Sequence, residues 1–174
     1  MRTKEQDHLI KLFKKIGVIQ EGEVIMRGGE KSSFYCNIKK AYGYPEVLDY
    51  LAKAVGKILP KDTTVIAASG HGGLPFATVV ALKYKKKFVA VRNTPKDHGK
   101  KTLLDGYTPT GKDKIVILDD VLTTGSSIKE TMKALKESLP DIKLKFSPAI
   151  VIIERNKVKL PIPYKYFFRI DEMI

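Results

Sequence analysis

The stretch Ile115-Val116-Ile117-Leu118-Asp119-Asp120-Val121-Leu122-Thr123-Thr124-Gly125-Ser126-Ser127-Ile128 constrains this chain more than any other. Four β-branched or aliphatic residues in a row read as a strand buried on both faces, the kind that sits in the middle of a parallel sheet. Two carboxylates follow, then a turn of hydroxyls around one glycine, then a helix with Ile128, Met132, Leu135 and Leu139 on one face, ended by Pro140. Backbone N–H groups at the start of such a helix, with the hydroxyls of Thr123, Thr124, Ser126 and Ser127, form a pocket for a phosphate dianion. Gly125 lets the backbone come close to that ligand with no side chain in the way. Asp119 and Asp120 would repel a phosphate but suit sugar hydroxyls or a metal ion. A phosphate on one side and a polyol on the other describe a sugar phosphate.

The rest of the chain supplies the layers that such a strand needs. Leu9, Leu12, Phe13 and Ile16 predict a first helix that stops at Gly17, and Pro45 opens a second, with Val47, Leu48, Leu51, Ala52, Val55 and Ile58 facing inward, which stops at Pro60. Between them, after the break at Gly28-Gly29, residues 33–38 predict a strand. Thr63–Ala68 predicts a buried strand that runs into the loop Ser69-Gly70-His71-Gly72-Gly73, followed by a helix from about Leu74 to Tyr84. Phe88–Val91 and Ala149–Ile153 predict two more buried strands. The alternation implies an α/β fold: a central, mostly parallel sheet flanked by helices, with functional loops at the carboxyl ends of its strands. The polar stretch between Arg92 and Lys114 reads as one long functional loop. No repeat or linker divides the chain, so a single domain is expected.

Charge excludes less than it suggests. The 174 residues carry 32 Lys and Arg against 19 Asp and Glu, a formal net charge of +13. Lys14-Lys15, Lys39-Lys40, Lys85–Lys87 and Lys100-Lys101 lie in separate segments and join no nucleic-acid-binding signature. We read them as solvated surface, or as a field that draws in a small, highly anionic substrate, in preference to a nucleic-acid footprint. No apolar run of about 18 residues predicts a membrane span, and the polar N-terminus is unlike a signal peptide. The single cysteine, Cys36, fits a reducing cytoplasm.

Two patterns mislead. Gly106-Tyr107-Thr108-Pro109-Thr110-Gly111-Lys112 matches the opening of a P-loop, but a strand rather than a helix follows it and Asp113 stands where a Ser or Thr binds magnesium. His71 and His98 lie in glycine-bearing loops but lack the spacing of a zinc site.

With these residues in place the chain resembles the type I phosphoribosyltransferases, whose signature is four hydrophobics, two acids and a Thr/Gly/Ser loop, and most of all their orotate-type members. Arg92-Asn93-Thr94-Pro95-Lys96-Asp97-His98-Gly99 resembles their mobile loop Arg-Lys-x-x-Lys-x-His-Gly. Arg27–Tyr35 resembles the segment covering the base, and Ile152-Ile153-Glu154-Arg155 the strand ending in Asp-Arg. Asn93 replaces a lysine, Arg27 stands where lysine is usual, and His71-Gly72 where an aromatic–lysine pair is common.

The resemblance implies the type I fold with a small N-terminal hood: residues 1–44 as helix and hood, 45–155 as the core with a mobile loop at about 92–113, and 156–174 as a C-terminal segment. It implies an orotate phosphoribosyltransferase of pyrimidine nucleotide biosynthesis that uses magnesium (Mg2+) and works as a homodimer, the loop reaching the neighbouring subunit. It assigns Lys96, His98, Arg92 and Asp120 to catalysis. Phosphoribosyl pyrophosphate would be held by Arg92, Lys96, His98 and residues Asp119, Asp120, Val121, Leu122, Thr123, Thr124, Gly125, Ser126 and Ser127. Orotate would meet Arg27, Phe34, Tyr35, Thr123 and Arg155; no direct protein ligand for the metal is assigned. The alternatives are a phosphoribosyltransferase for another base and a regulatory protein that binds phosphoribosyl pyrophosphate without turnover.

Overall fold

Among the described residues, seven strands form one sheet in which each hydrogen-bonded pair but one is parallel. The structure, a computed structural model, describes residues 2–25, 31–92, 94 and 102–173. Helix α1 (Lys4–Lys15) leads into a separate antiparallel pair, β1 (Ile19–Ile25) and β2 (Lys31–Cys36). A 3-10 helix (Ile38–Gly43) and α2 (Pro45–Gly56) follow. Then come β3 (Val65–Ser69), α3 (Gly70–Lys83), β4 (Lys87–Val91), β5 (Leu104–Gly106), β6 (Lys114–Leu122), α4 (Ser126–Ser138), β7 (Lys145–Phe146), β8 (Ala149–Glu154) and β9 (Tyr164–Arg169). The sheet order is β5-β4-β3-β6-β8-β9, with β7 alongside the start of β6.

Side chains alternate across the central strands, and each face gathers its own core. Ile66, Ala68, Val116, Leu118, Ile150 and Ile152 pack on one side with Leu9 and Phe13 of α1, Leu51 and Val55 of α2, and Phe76 and Val80 of α3. Val65, Ala67, Ile115, Ile117 and Val151 face the other side, against Ile128, Met132 and Leu135 of α4. Each fully buried Val, Leu, Ile or Phe side chain among these contributes roughly 1.5–3 kcal/mol, so the middle of the sheet is the rigid platform of the molecule. Among the described residues no helix is long and apolar enough to cross a membrane.

The chain leaves β3 toward β4 on one side and later returns to place β6 on its other side, so connections diverge at the β3–β6 junction. Crevices at the carboxyl ends of strands open where connections diverge in this way. Here α3 begins on one bank and the Asp119–Ser127 segment lies on the other.

Several expectations need correction. The strand expected over 33–38 is β2, shifted two residues earlier, and Ile38 begins the 3-10 helix. Helix α3 starts at Gly70 and not near Leu74, so His71 lies in a helical first turn rather than a loop. The 92–113 stretch is not wholly loop: β5 pairs antiparallel with β4 (Val89↔Gly106, Val91↔Leu104). A short strand therefore does precede the P-loop-like Gly106–Lys112; the strand β6 after it still denies phosphates a helix N-terminus. Asp113 is pinned instead by Thr64 Oγ1 at 2.9 Å, Tyr107 Oη at 3.0 Å, and the N–H and hydroxyl of Thr110 at 2.9 Å each.

Candidate active site

The two acids lie within the strand and not at its end, because β6 runs on to Leu122. That extension buries them: Asp119 is 8% exposed and Asp120 9%. Each braces the next peptide, Asp119 Oδ1 accepting from Asp120 N–H at 3.0 Å and Asp120 Oδ1 from Val121 N–H at 2.9 Å. Burial pushes the Asp119 carboxyl up to about 7, and the adjacent Asp120 charge pushes the same way. The Asp120 N–H and the Ser127 hydroxyl pull against them. Ser127, the second residue of α4, is thereby tied to the acid pair.

Glycines on the facing bank make this burial possible. A Cβ on Gly73 would sit 3.0 Å from the Leu118 carbonyl oxygen and 3.3 Å from Asp119 Oδ1. Tyr42, in the 3-10 helix, donates its hydroxyl proton to the Gly72 carbonyl at 2.6 Å. Burial first, then Asp120 and Asp119, push that phenol well above the ordinary tyrosine range, so it stays a donor.

Beyond the acids the backbone turns outward. Thr123, Thr124 and Ser126 are exposed, and Gly125 takes φ +74° as the residue before α4. A Cβ on Gly125 would fall 2.4 Å from Leu160 Cδ2, so the C-terminal segment walls the turn from behind. Gly125 offers the first turn no side-chain oxygen, and Ser126 N–H reaches Thr124 Oγ1 only at 3.4 Å. The first-turn N–H groups remain available to an anion, while the Thr124 hydroxyl donates to Ser126 Oγ at 3.1 Å. Asn156, just beyond the end of the neighbouring strand β8, closes the turn, donating from Nδ2 to the Thr123 carbonyl at 3.2 Å. The Leu122 carbonyl accepts from the Arg155 and Asn156 N–H groups.

Arg155 follows β8, one strand from the acids. Burial pushes the buried Cys36 thiol up to about 11; the Arg155 charge lowers it and the Asp120 charge raises it. The ends of β2, β6 and β8 therefore converge on one region. Phe34 shares the Cys36 side of β2 and packs against the core, whereas Tyr35 on the other side is 37% exposed.

Not all expected residues meet here. Leu122 is 1% exposed and belongs to the α4-side core, so its side chain is not available to a ligand, and Val121 packs against the opposite core. Arg92 stands two strands away, after β4, paired with Asp105. Arg27, Lys96 and His98 lie outside the described residues. Sequence reasoning missed Tyr42, Asp105 and Asn156, whose parts rest on contacts 30, 13 and 33 residues away; Asn156, directly after the singled-out Arg155, was the most accessible of the three.

Known proteins share this fold. The family model described as phosphoribosyl transferase domain matches residues 43–174. The chain belongs to the phosphoribosyltransferase family. It is 36% identical to the orotate phosphoribosyltransferase of Methanocaldococcus jannaschii over 134 residues, covering 77% of this chain and 76% of that one. It is 32% identical to the orotate phosphoribosyltransferase of Thermococcus kodakarensis over 155 residues, covering 87% and 81%. The crystal structure of the orotate phosphoribosyltransferase from Aeropyrum pernix superposes with a TM-score of 0.79 over 95% of each chain, at 24% identity, and shares the fold. In this phosphoribosyltransferase the α/β expectation holds, and the matched region spans both banks of the crevice.

Proposed function

We propose that this enzyme transfers the phosphoribosyl group of phosphoribosyl pyrophosphate to orotate, giving orotidine 5′-phosphate and pyrophosphate. The observation that carries the reading is the Thr123–Ser127 turn, with Thr123, Thr124 and Ser126 exposed, set between a buried acid pair and Arg155. The turn takes the 5′-phosphate, the acids face the ribose hydroxyls, and Arg155 pairs with the orotate carboxylate as a fork. Orotate-type relatives at 36% and 32% identity support the choice of base.

A ring nitrogen of orotate forms the new bond to ribose C1 while the C1–O bond to pyrophosphate breaks, the electron pair leaving with pyrophosphate and the ring N–H proton passing to water or to the departing pyrophosphate. No side chain is needed as a nucleophile. The protein holds two anions together and stabilises the charge that departs. Arg92, Lys96 and His98 supply that positive charge, with the loop acting in the neighbouring subunit of a homodimer. The base lies under the hood, near Arg27, Phe34 and Tyr35, and Thr123 touches it.

Among the described residues no group of three His, Cys, Asp or Glu side chains is placed to hold a metal. Two carboxylates fit a magnesium ion that brings most of its oxygen ligands with the diphosphate, and Asp119 and Asp120 would stand beside it. The chemistry such an ion would supply there is neutralisation of charge on the leaving group. A cytoplasmic location fits a lone cysteine kept as a buried thiol.

The test is loss of orotate absorbance with phosphoribosyl pyrophosphate and magnesium, beside a panel of other bases. Orotate consumption is expected, and Lys96→Ala should lower turnover about 100-fold with little change in orotate affinity. Turnover with another base only would reassign the substrate.

A further inference from the structure

The reaction above uses Arg92 but leaves its neighbour Asp105 unexplained. Arg92 follows β4, and its backbone N–H donates to the Leu103 carbonyl at 2.8 Å, continuing the antiparallel ladder with β5. Asp105 lies on β5 opposite Ala90. The ladder thus sets the carboxylate within reach of the guanidinium, and Arg92 Nε pairs with Asp105 Oδ2. Both side chains are partly open to water, at 45% and 31% exposure. Both line a cavity of about 370 Å³ at the ends of β3 and β4, together with Gly70, His71 and Thr94.

A guanidinium fork meets a carboxylate and a phosphate with the same geometry. A half-exposed pair is also weak and easily exchanged, worth less than about tenfold in an equilibrium constant. We propose that Asp105 is a positioning residue that occupies Arg92 in the free enzyme and yields it to the diphosphate group of the substrate or product. This deepens the proposed function and rests on its placing the diphosphate beside Arg92. One consequence follows: the carboxylate competes with the diphosphate for the same guanidinium, which weakens pyrophosphate binding and favours its release, a step that limits many enzymes.

The experiment is calorimetric titration of magnesium pyrophosphate into the full-length wild type, Asp105→Asn, Arg92→Gln and the double variant at low salt. Asp105→Asn should tighten binding about threefold, and Arg92→Gln should weaken it about tenfold or more. In the Arg92→Gln background the Asp105→Asn change should have no effect, because Asp105 acts through Arg92. Equal tightening in both backgrounds would make Asp105 a plain through-space charge and overturn the proposal. Weaker binding in Asp105→Asn would also overturn it, since the carboxylate would then be holding Arg92 in its ligand-binding pose. Asp105→Ser gives the same readout if the amide disturbs β5, and thermal melts report folding. Absence of pyrophosphate binding in the wild type would remove the transferase reading as well, whereas normal wild-type binding unchanged by Asp105→Asn removes this proposal alone.

Discussion

A Cβ atom on Gly72 would lie 2.4 Å from the carboxylate of Asp120. The first turn of α3 is therefore pressed against the acidic end of β6, and the contact leaves no room for a side chain. A lysine at this position, common in relatives by resemblance, is incompatible with Asp120 as it stands here.

Gly72→Ala should consequently act on the acid pair more than on the fold. The Asp120 carboxylate can rotate away, giving up its 2.9 Å bond to Val121 N–H, so a melting temperature within a few degrees of wild type is expected. Catalytic efficiency with phosphoribosyl pyrophosphate should drop about tenfold to a hundredfold, because a misplaced group at the reacting centre is costly. Steady-state kinetics check this, and an unaltered kcat/KM would show that the position of Asp120 does not matter.

Asp119 gives the protein a stability slope of unusual sign. Its carboxyl is pushed up to about 7 from an ordinary value of 3.8. Between those limits the folded protein holds a proton that the unfolded chain has released. The stabilising contribution is complete below about pH 4 and is lost as pH rises through 7. Asp119→Asn removes the titration, so its advantage in melting temperature over wild type should be small at pH 4.5 and grow to several degrees at pH 8. Melts in buffer free of divalent cations test this, and two parallel pH curves would contradict it.

How much was legible in the sequence follows from how each element is buried. β3, β6 and β8 lie between two helical layers, so their apolar runs are uninterrupted and easy to read. β1 carries Glu21, Gly22 and Glu23, β5 is three residues in a polar stretch, and β9 follows Pro161 and Pro163. Their pairing comes from neighbours in space rather than from their own composition. The start of α3 was hidden for a related reason: Gly70, Gly72 and Gly73 read as loop, yet Gly72 and Gly73 are what let a helix approach the acids. The Asp119–Ser127 segment was legible because one continuous stretch carries strand, acids and turn. Asp105, Tyr42 and Asn156 act through partners distant in the chain, and no local pattern announces them.

Asp113 should anchor the fold in the opposite pH sense. Burial alone would raise its carboxyl, but bonds from Thr110, Thr64 and Tyr107 outweigh burial and hold it at about 2. Its contribution is present above the unfolded value near 3.8 and is lost as pH falls through about 2. Asp113→Asn should cost about 2 kcal/mol at pH 7, by the conversion of a shift of nearly two units. Urea titrations at pH 7 and pH 2 measure the gap, which should close at the lower pH; a gap that stays constant would make the loss one of packing.

On the proposed function, Arg155 should separate recognition of the base from recognition of the sugar phosphate. Its backbone is fixed by the 2.9 Å bond from its N–H to the Leu122 carbonyl, which truncation of the side chain leaves intact. Arg155→Ala should therefore spare the phosphate turn, changing the affinity for phosphoribosyl pyrophosphate less than twofold, while the KM for orotate rises about 30- to 100-fold, the loss expected of a charge-assisted fork. A second readout comes from Cys36, whose raised thiol pKa Arg155 partly offsets. Without that charge the thiolate fraction falls, so alkylation of Cys36 in the variant should be slower than in wild type. Parallel loss of affinity for both substrates would place Arg155 in the support of the turn instead of in contact with the base.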